Sequence, residues 1–160
     1  MSDARPTIGQ PVPEFSLPGT GDTPFSLQAA RGRWLVLYFY PKDDTPGCTT
    51  ESAAFRDAQT AFAAAGCDIA GVSRDSVASH RRFREKLALP FDLLSDTDET
   101  VCTLFDVMRL KNMYGKQVRG IERSTFLIDA AGLLRHEWRG VKVPGHVDEV
   151  LTVLHGLQRP

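Results

Sequence analysis

Trp34-Leu35-Val36-Leu37-Tyr38-Phe39-Tyr40-Pro41-Lys42-Asp43-Asp44-Thr45-Pro46-Gly47-Cys48-Thr49-Thr50-Glu51 is the stretch on which the fold turns. Its first seven residues are apolar without alternation, the pattern of a strand buried on both faces. Pro41 ends that strand. After a short polar turn a helix is predicted over about 46–65, with Ala53, Ala54, Phe55, Ala58, Phe62 and Ala65 at helical spacing before Gly66. Thr45 suits the N-cap and Pro46 the first helical position, where a missing N–H costs nothing. Cys48 then falls in the first turn, at the positive end of the helix dipole and among N–H groups without intrahelical partners. Such a setting favours a thiolate, which is a nucleophile. A Pro-Gly-Cys helix start is also a poor place to hide a side chain, so an open sulfur is expected, with Gly47 leaving room beside it for a small molecule.

Working outward, 68–73 (Asp-Ile-Ala-Gly-Val-Ser) reads as a second buried strand, and Ser76 caps a charged helix that runs through Leu87 and stops before Pro90. A short helix is expected over 96–105. Residues 124–129 and 133–138 read as two strands around Ala130-Ala131-Gly132, a hairpin. The last helix, about 146–157, carries Val147, Val150, Leu151 and Leu154 on one face. Before the first buried strand, residues 1–33 are rich in Pro and Gly. Two short extended pieces there, 14–17 and 24–27, flank the Gly19-Thr20-Gly21-Asp22 turn as an N-terminal hairpin.

The order is β-α-β, a crossover, then β-β-α. Parallel strands need long helical crossovers, whereas the late pair closes through a tight turn. This is an α/β, thioredoxin-like topology: a mixed central sheet flanked by helices, with an added N-terminal hairpin and an inserted helix. At 160 residues and 17.7 kDa, one domain spanning 1–160 is expected.

A formal net charge of −1 gives no sign of nucleic-acid binding, and the basic run from His80 to Lys86 reads as a solvated helix face. The opening residues lack the apolar core of a secretory leader, and the longest apolar run is too short to span a bilayer. Three cysteines without a CxxC pair argue for a reducing, cytoplasmic setting. The four histidines show neither HExxH nor zinc spacing with cysteine and read mostly as surface or capping residues, and no Gly-rich stretch follows a strand with dinucleotide or P-loop spacing. Cys67, between Gly66 and a strand, and Cys102, beside Val101, Leu104 and Phe105, read as packing residues. Arg123, at the entrance of the 124–129 strand, is the best second cation for the Cys48 site, because that strand can lie beside 34–40. A guanidinium stays charged and offers several donors. The Thr45 hydroxyl can both donate to and accept from a bound oxygen.

The run from Phe39 to Glu51 resembles the active-site motif of peroxiredoxins, Pro-x-x-x-(Thr/Ser)-x-x-Cys, and more narrowly that of the bacterioferritin-comigratory or Q-type subgroup. The likeness continues in order through 71–73, 91–96, 114–116, 120–129 and 146–151. It implies that Cys48 is the peroxidatic cysteine, attacking the O–O bond of hydrogen peroxide or an alkyl hydroperoxide and becoming a sulfenic acid. It further implies that Thr45 and Arg123 orient the peroxide and stabilise the leaving oxygen, that Pro41 shields the sulfur, and that no metal or organic cofactor is needed. Q-type members carry a resolving cysteine five residues after the peroxidatic one or about one helix later. Those positions here are Ala53 and Arg84. The reading is therefore a one-cysteine enzyme served by an external thiol, either thioredoxin or a glutaredoxin/glutathione-type reductant. Two alternatives stay open: a two-cysteine cycle through Cys102, less readily Cys67, and a non-catalytic redox-sensing module. The resemblance leans to a monomer or a weak homodimer.

Overall fold

A computed structural model describes residues 5–159; Met1 to Ala4, part of the opening read above for a leader, and Pro160 lie outside them. Along the chain come β1 (Ser16–Leu17), β2 (Phe25–Ser26), α1 (Leu27–Ala30), β3 (Trp34–Phe39), α2 (Pro46–Ala64), β4 (Cys67–Ser73) and α3 (Val77–Leu87). There follow β5 (Asp92–Ser95), α4 (Thr100–Leu104), β6 (Met108–Met113), β7 (Lys116–Ile121), β8 (Ser124–Ile128), β9 (Leu134–Arg139) and α5 (His146–Gln158).

The unbroken apolar run becomes the middle strand of a five-stranded sheet of order β5-β4-β3-β8-β9. β3 pairs parallel with β4 and antiparallel with β8, so the sheet is mixed, as the connection lengths require. Alternate residues of β3 serve two cores. Leu35, Leu37 and Phe39 pack with Phe15, Leu17, Phe105 and Phe126 on one face. Val36, Tyr38 and the following Tyr40 pack with Phe55 and Phe62 of α2 and Val150 and Leu154 of α5 on the other. A strand covered on both faces has no polar side to alternate with, which is why its sequence is continuously apolar.

Several expectations are corrected. The N-terminal hairpin forms, but its strands are only two residues each, and Leu27 starts a short helix because the Ser26 hydroxyl accepts from Ala29 N at 3.3 Å. The helix expected over 96–105 is shortened to Thr100–Leu104. Asp96 lies outside it, and its buried carboxylate accepts from the amides of Val101 (3.2 Å) and Cys102 (2.6 Å). β5 completes the parallel edge beside β4. The β6–β7 hairpin stands apart as a two-stranded sheet, largely exposed on both faces, so it has no buried periodicity to read. His80 is fully buried and His146 is 6% exposed, against the expectation of surface histidines. His80 therefore does not belong to a solvated helix face.

Candidate active site

Thr45 occupies the N-cap of α2 with an extended backbone, Pro46 the first helical position, and Cys48 the first turn. The first intrahelical bond is Thr49 N to Thr45 O, 2.8 Å, so the amides of Gly47 and Cys48 precede it. Thr45 makes no side-chain cap, which corrects part of its sequence reading. Its hydroxyl instead donates to the Lys42 carbonyl at 2.8 Å. With its hydrogen committed there, the Thr45 oxygen keeps its acceptor lone pairs.

The register that sets Ser124 opposite Phe39 brings Arg123 to the end of β3 where α2 begins. Arg123 Nη2 donates to Cys48 Sγ at 3.5 Å, and Nη1 donates to Glu51 Oε1 at 2.6 Å. Burial opposes the guanidinium charge, yet Glu51 and Cys48 outweigh it and hold Arg123 above its ordinary range. Gly47 does not leave open ground beside the sulfur: a Cβ there would stand 3.0 Å from Arg123 Nη2, so the missing side chain makes room for the guanidinium. Cys48 itself is 1% exposed, against the expectation of an open thiol, because it packs into the core that contains Tyr38, Tyr40 and Phe55. Pro41 follows Tyr40 directly and is half-buried, as is Thr45. The four sequence-derived residues thus fall in two segments, the run 41–48 and the entrance to β8.

Two features were not read as functional from the sequence. Glu51 has a fully buried side chain, with Oε2 lacking a hydrogen-bond partner among the described residues. Burial pushes its carboxyl up to about 7, against the opposing pull of Arg123. Spacing carried the signal, since residues three apart on a helix share a face and Glu51 is three after Cys48. The second is a polar knot around Asp43, which accepts from Tyr40 Oη (2.6 Å) and Ser79 Oγ (2.8 Å) and meets His80 Nδ1 at 2.8 Å. No local pattern in the sequence links residues 43 and 80. Ligand atoms of Asp43, Asp75 and His80 lie within 4.8 Å of one another. Asp43 Oδ2 is engaged by Ser79 and His80, and Asp75 Oδ2 by Asp43 N and Ser73 Oγ, so a cation there would displace bonds already made.

Cys67 and Cys102 are buried free thiols. Burial, with help from Asp68, pushes Cys67 up to about 12; burial and Asp96 raise Cys102 as well. Cys102 packs with Leu35, Leu37 and Phe39, on the sheet face opposite to Cys48. Cys67 pairs with Trp34, at the opposite end of β3 from the first turn of α2, and at ~3.3 Å per residue that strand separates the two ends by roughly 16 Å. Ala53 lies within α2, and Arg84 on α3 donates to Phe91 O at 3.0 Å.

A model of the AhpC/TSA family matches residues 8–137. Peroxiredoxin Bcp of Xanthomonas campestris pv. campestris is 53% identical over 156 residues, 96% of this chain and 96% of that protein. A solved structure concerning the alkyl peroxide reduction activity of the Xanthomonas campestris bacterioferritin comigratory protein superposes with a TM-score of 0.86 at 52% identity. It covers 91% of this chain and 92% of that one. The crystal structure of a Xylella fastidiosa PrxQ mutant gives a TM-score of 0.91 at 43% identity, over 97% and 99% of the two chains. Among the described residues no helix is long and apolar enough to cross a membrane.

Proposed function

The chain belongs to the AhpC/TSA family and to its Bcp, or peroxiredoxin Q, branch of thiol peroxidases, and from that premise we propose that Cys48 is the peroxidatic cysteine of a one-cysteine cycle. The observation that carries this reading is the Arg123 guanidinium on Cys48 Sγ at 3.5 Å, in the first turn of a helix. The Cys48 thiolate attacks one peroxide oxygen. An S–O bond forms, the O–O bond breaks, and the departing oxygen leaves as alkoxide or hydroxide and takes up a proton. Arg123 stabilises the charge that develops on that oxygen. Thr45 Oγ1, its hydrogen held by Lys42 O, accepts from the peroxide hydroxyl and aligns it, while Pro41 limits water at the sulfur. The near-complete burial of Cys48 favours hydrogen peroxide and slender alkyl hydroperoxides.

The sulfenic acid is then reduced from outside. One external thiol condenses with it, releasing water and leaving a mixed disulfide; a second thiol restores Cys48 and departs as a disulfide. Thioredoxin or a glutaredoxin/glutathione-type thiol fits that role. In support, Cys102 lies across the sheet, Cys67 lies at the other end of β3, and both thiols are pushed toward the protonated, poorly attacking form. The test is peroxide consumption with excess dithiothreitol or thioredoxin. Turnover is expected to vanish in Cys48→Ser and to persist in the Cys67→Ser/Cys102→Ser double variant. Loss of turnover in the double variant would establish a two-cysteine cycle, and stoichiometric oxidation without turnover a sensor.

A further inference from the structure

The loop 41–45 carries Pro41 and Thr45 up to the Cys48 helix turn, and it is tied to the rest of the molecule through Asp43. The Asp43 side chain is 4% exposed and His80 is 0% exposed. Oδ1 accepts from Tyr40 Oη at 2.6 Å, and Oδ2 accepts from Ser79 Oγ at 2.8 Å and faces His80 Nδ1 at 2.8 Å. The Asp43 amide donates to Asp75 Oδ2 at 2.9 Å. Burial works to raise the Asp43 carboxyl, but the bonds from His80, Tyr40 and Ser79 outweigh it and hold it below the usual range. On the far side of its ring, His80 Nε2 meets the Leu94 carbonyl at 2.9 Å. A carbonyl only accepts, so Nε2 carries a hydrogen, and a second hydrogen must lie between Nδ1 and Asp43. α3 thus holds the Asp43 carboxylate directly, β5 backs it through His80, and the turn after β4 holds the Asp43 amide.

We propose that Asp43, clamped by His80, is a positioning residue for peroxide reduction: it fixes the 42–43 peptide, whose carbonyl holds the Thr45 hydroxyl in its orienting role. The chain of contacts is direct. Thr45 Oγ1 donates to Lys42 O at 2.8 Å, and the amide on the other side of that peptide bond is the Asp43 N–H bonded to Asp75. Without the clamp that peptide keeps its bond to Asp75 but loses the anchoring of the Asp43 side chain, so it shifts, and Thr45 loses the fixed partner that keeps its acceptor face available. Misplacement of an aligning group by about 1 Å can cost on the order of 100-fold in rate. The inference rests on Cys48 and Thr45 acting as proposed above.

The test compares two reagents on Cys48 in the full-length protein, each followed by rapid quench and mass mapping of the Cys48 peptide. Hydrogen peroxide needs the aligned loop, whereas iodoacetamide needs only a reachable, ionised sulfur. Asp43→Ala is expected to slow oxidation by roughly 10- to 100-fold and alkylation by no more than about twofold. Asp43→Asn keeps an oxygen for Tyr40 and offers an N–H to a neutral His80, so it should recover oxidation to within roughly fivefold of the parent. Ser79→Ala, which removes one donor from a half-buried position, should slow oxidation by about fivefold and leave alkylation alone, and it serves should Asp43→Ala not fold. Equal slowing with both reagents, or oxidation at the parent rate in Asp43→Ala and Ser79→Ala, overturns the positioning role. A parent protein whose Cys48 is not oxidised by peroxide would instead overturn the functional reading beneath it.

Discussion

Replacing Glu51 by Gln should make the protein more stable at neutral pH, and by an amount that depends on pH. The carboxyl is fully buried; one oxygen bonds Arg123 and the other has no partner among the described residues. Its folded value of about 7 stands above the ordinary 4.5, burial outweighing the attraction of Arg123. A carboxyl raised in the folded state binds its proton there while the unfolded chain has already lost it. Its contribution is therefore complete below about pH 4.5 and is lost as pH rises through about 7. A gap of that size corresponds to something on the order of 3 kcal/mol. Gln resembles the protonated side chain and does not titrate. Parent and Glu51→Gln should thus match near pH 4.5 and diverge by up to about 3 kcal/mol at pH 8, the variant being more stable. His146 acts oppositely, since burial lowers it to about 4 and its contribution grows as pH rises toward 6.5. It is common to both proteins and cancels in the difference. The assay is urea unfolding of both at pH 5, 6, 7 and 8. A difference that stays flat with pH, or a parent that is the more stable at pH 8, would show that Glu51 is not held protonated by burial in the folded state.

Other perturbations probe the site and the core separately. Arg123→Ala removes the donor on Cys48 Sγ and should lower the second-order rate constant for peroxide by roughly 100- to 1,000-fold in stopped-flow measurements. Gly47→Ala sets a methyl 3.0 Å from Arg123 Nη2. It should shift the guanidinium and slow peroxide reduction by about tenfold, with an unfolding midpoint near that of the parent. Phe105→Ala removes a fully buried ring whose centroid lies 4.6 Å from that of Phe126 and 5.2 Å from that of Phe39. Urea unfolding should show a loss of about 3–5 kcal/mol.

The parts of the fold that bury a periodic apolar face were legible in the sequence. β3, α2, β4, α3, β8, β9 and α5 fall within one or two residues of the expected bounds, since their patterns record the two cores directly. β6 and β7 were not, because a hairpin exposed on both faces carries no burial signal. The helix expected over 96–105 was legible, but its start was not, because Asp96 satisfies the first amides of α4 from outside the helix. At the site, the spacing around Cys48 and the strand order led to Arg123. The burial of Cys48 did not follow from that spacing, since it depends on how α2 settles against β3 and α5. The fully buried His80 was misread because its neighbours Arg81, Arg82 and Arg84 dominate the local composition, while its partner Asp43 is distant in sequence.

In the proposed cycle one sulfur, Cys48, meets the peroxide and an external thiol finishes the reaction. Treating the reduced protein with one equivalent of hydrogen peroxide in the presence of dimedone, followed by peptide mass mapping, tests it directly. The adduct is expected on the Cys48 peptide, with Cys67 and Cys102 still reduced. An adduct on either of those residues, or a disulfide linking one of them to Cys48, would contradict it.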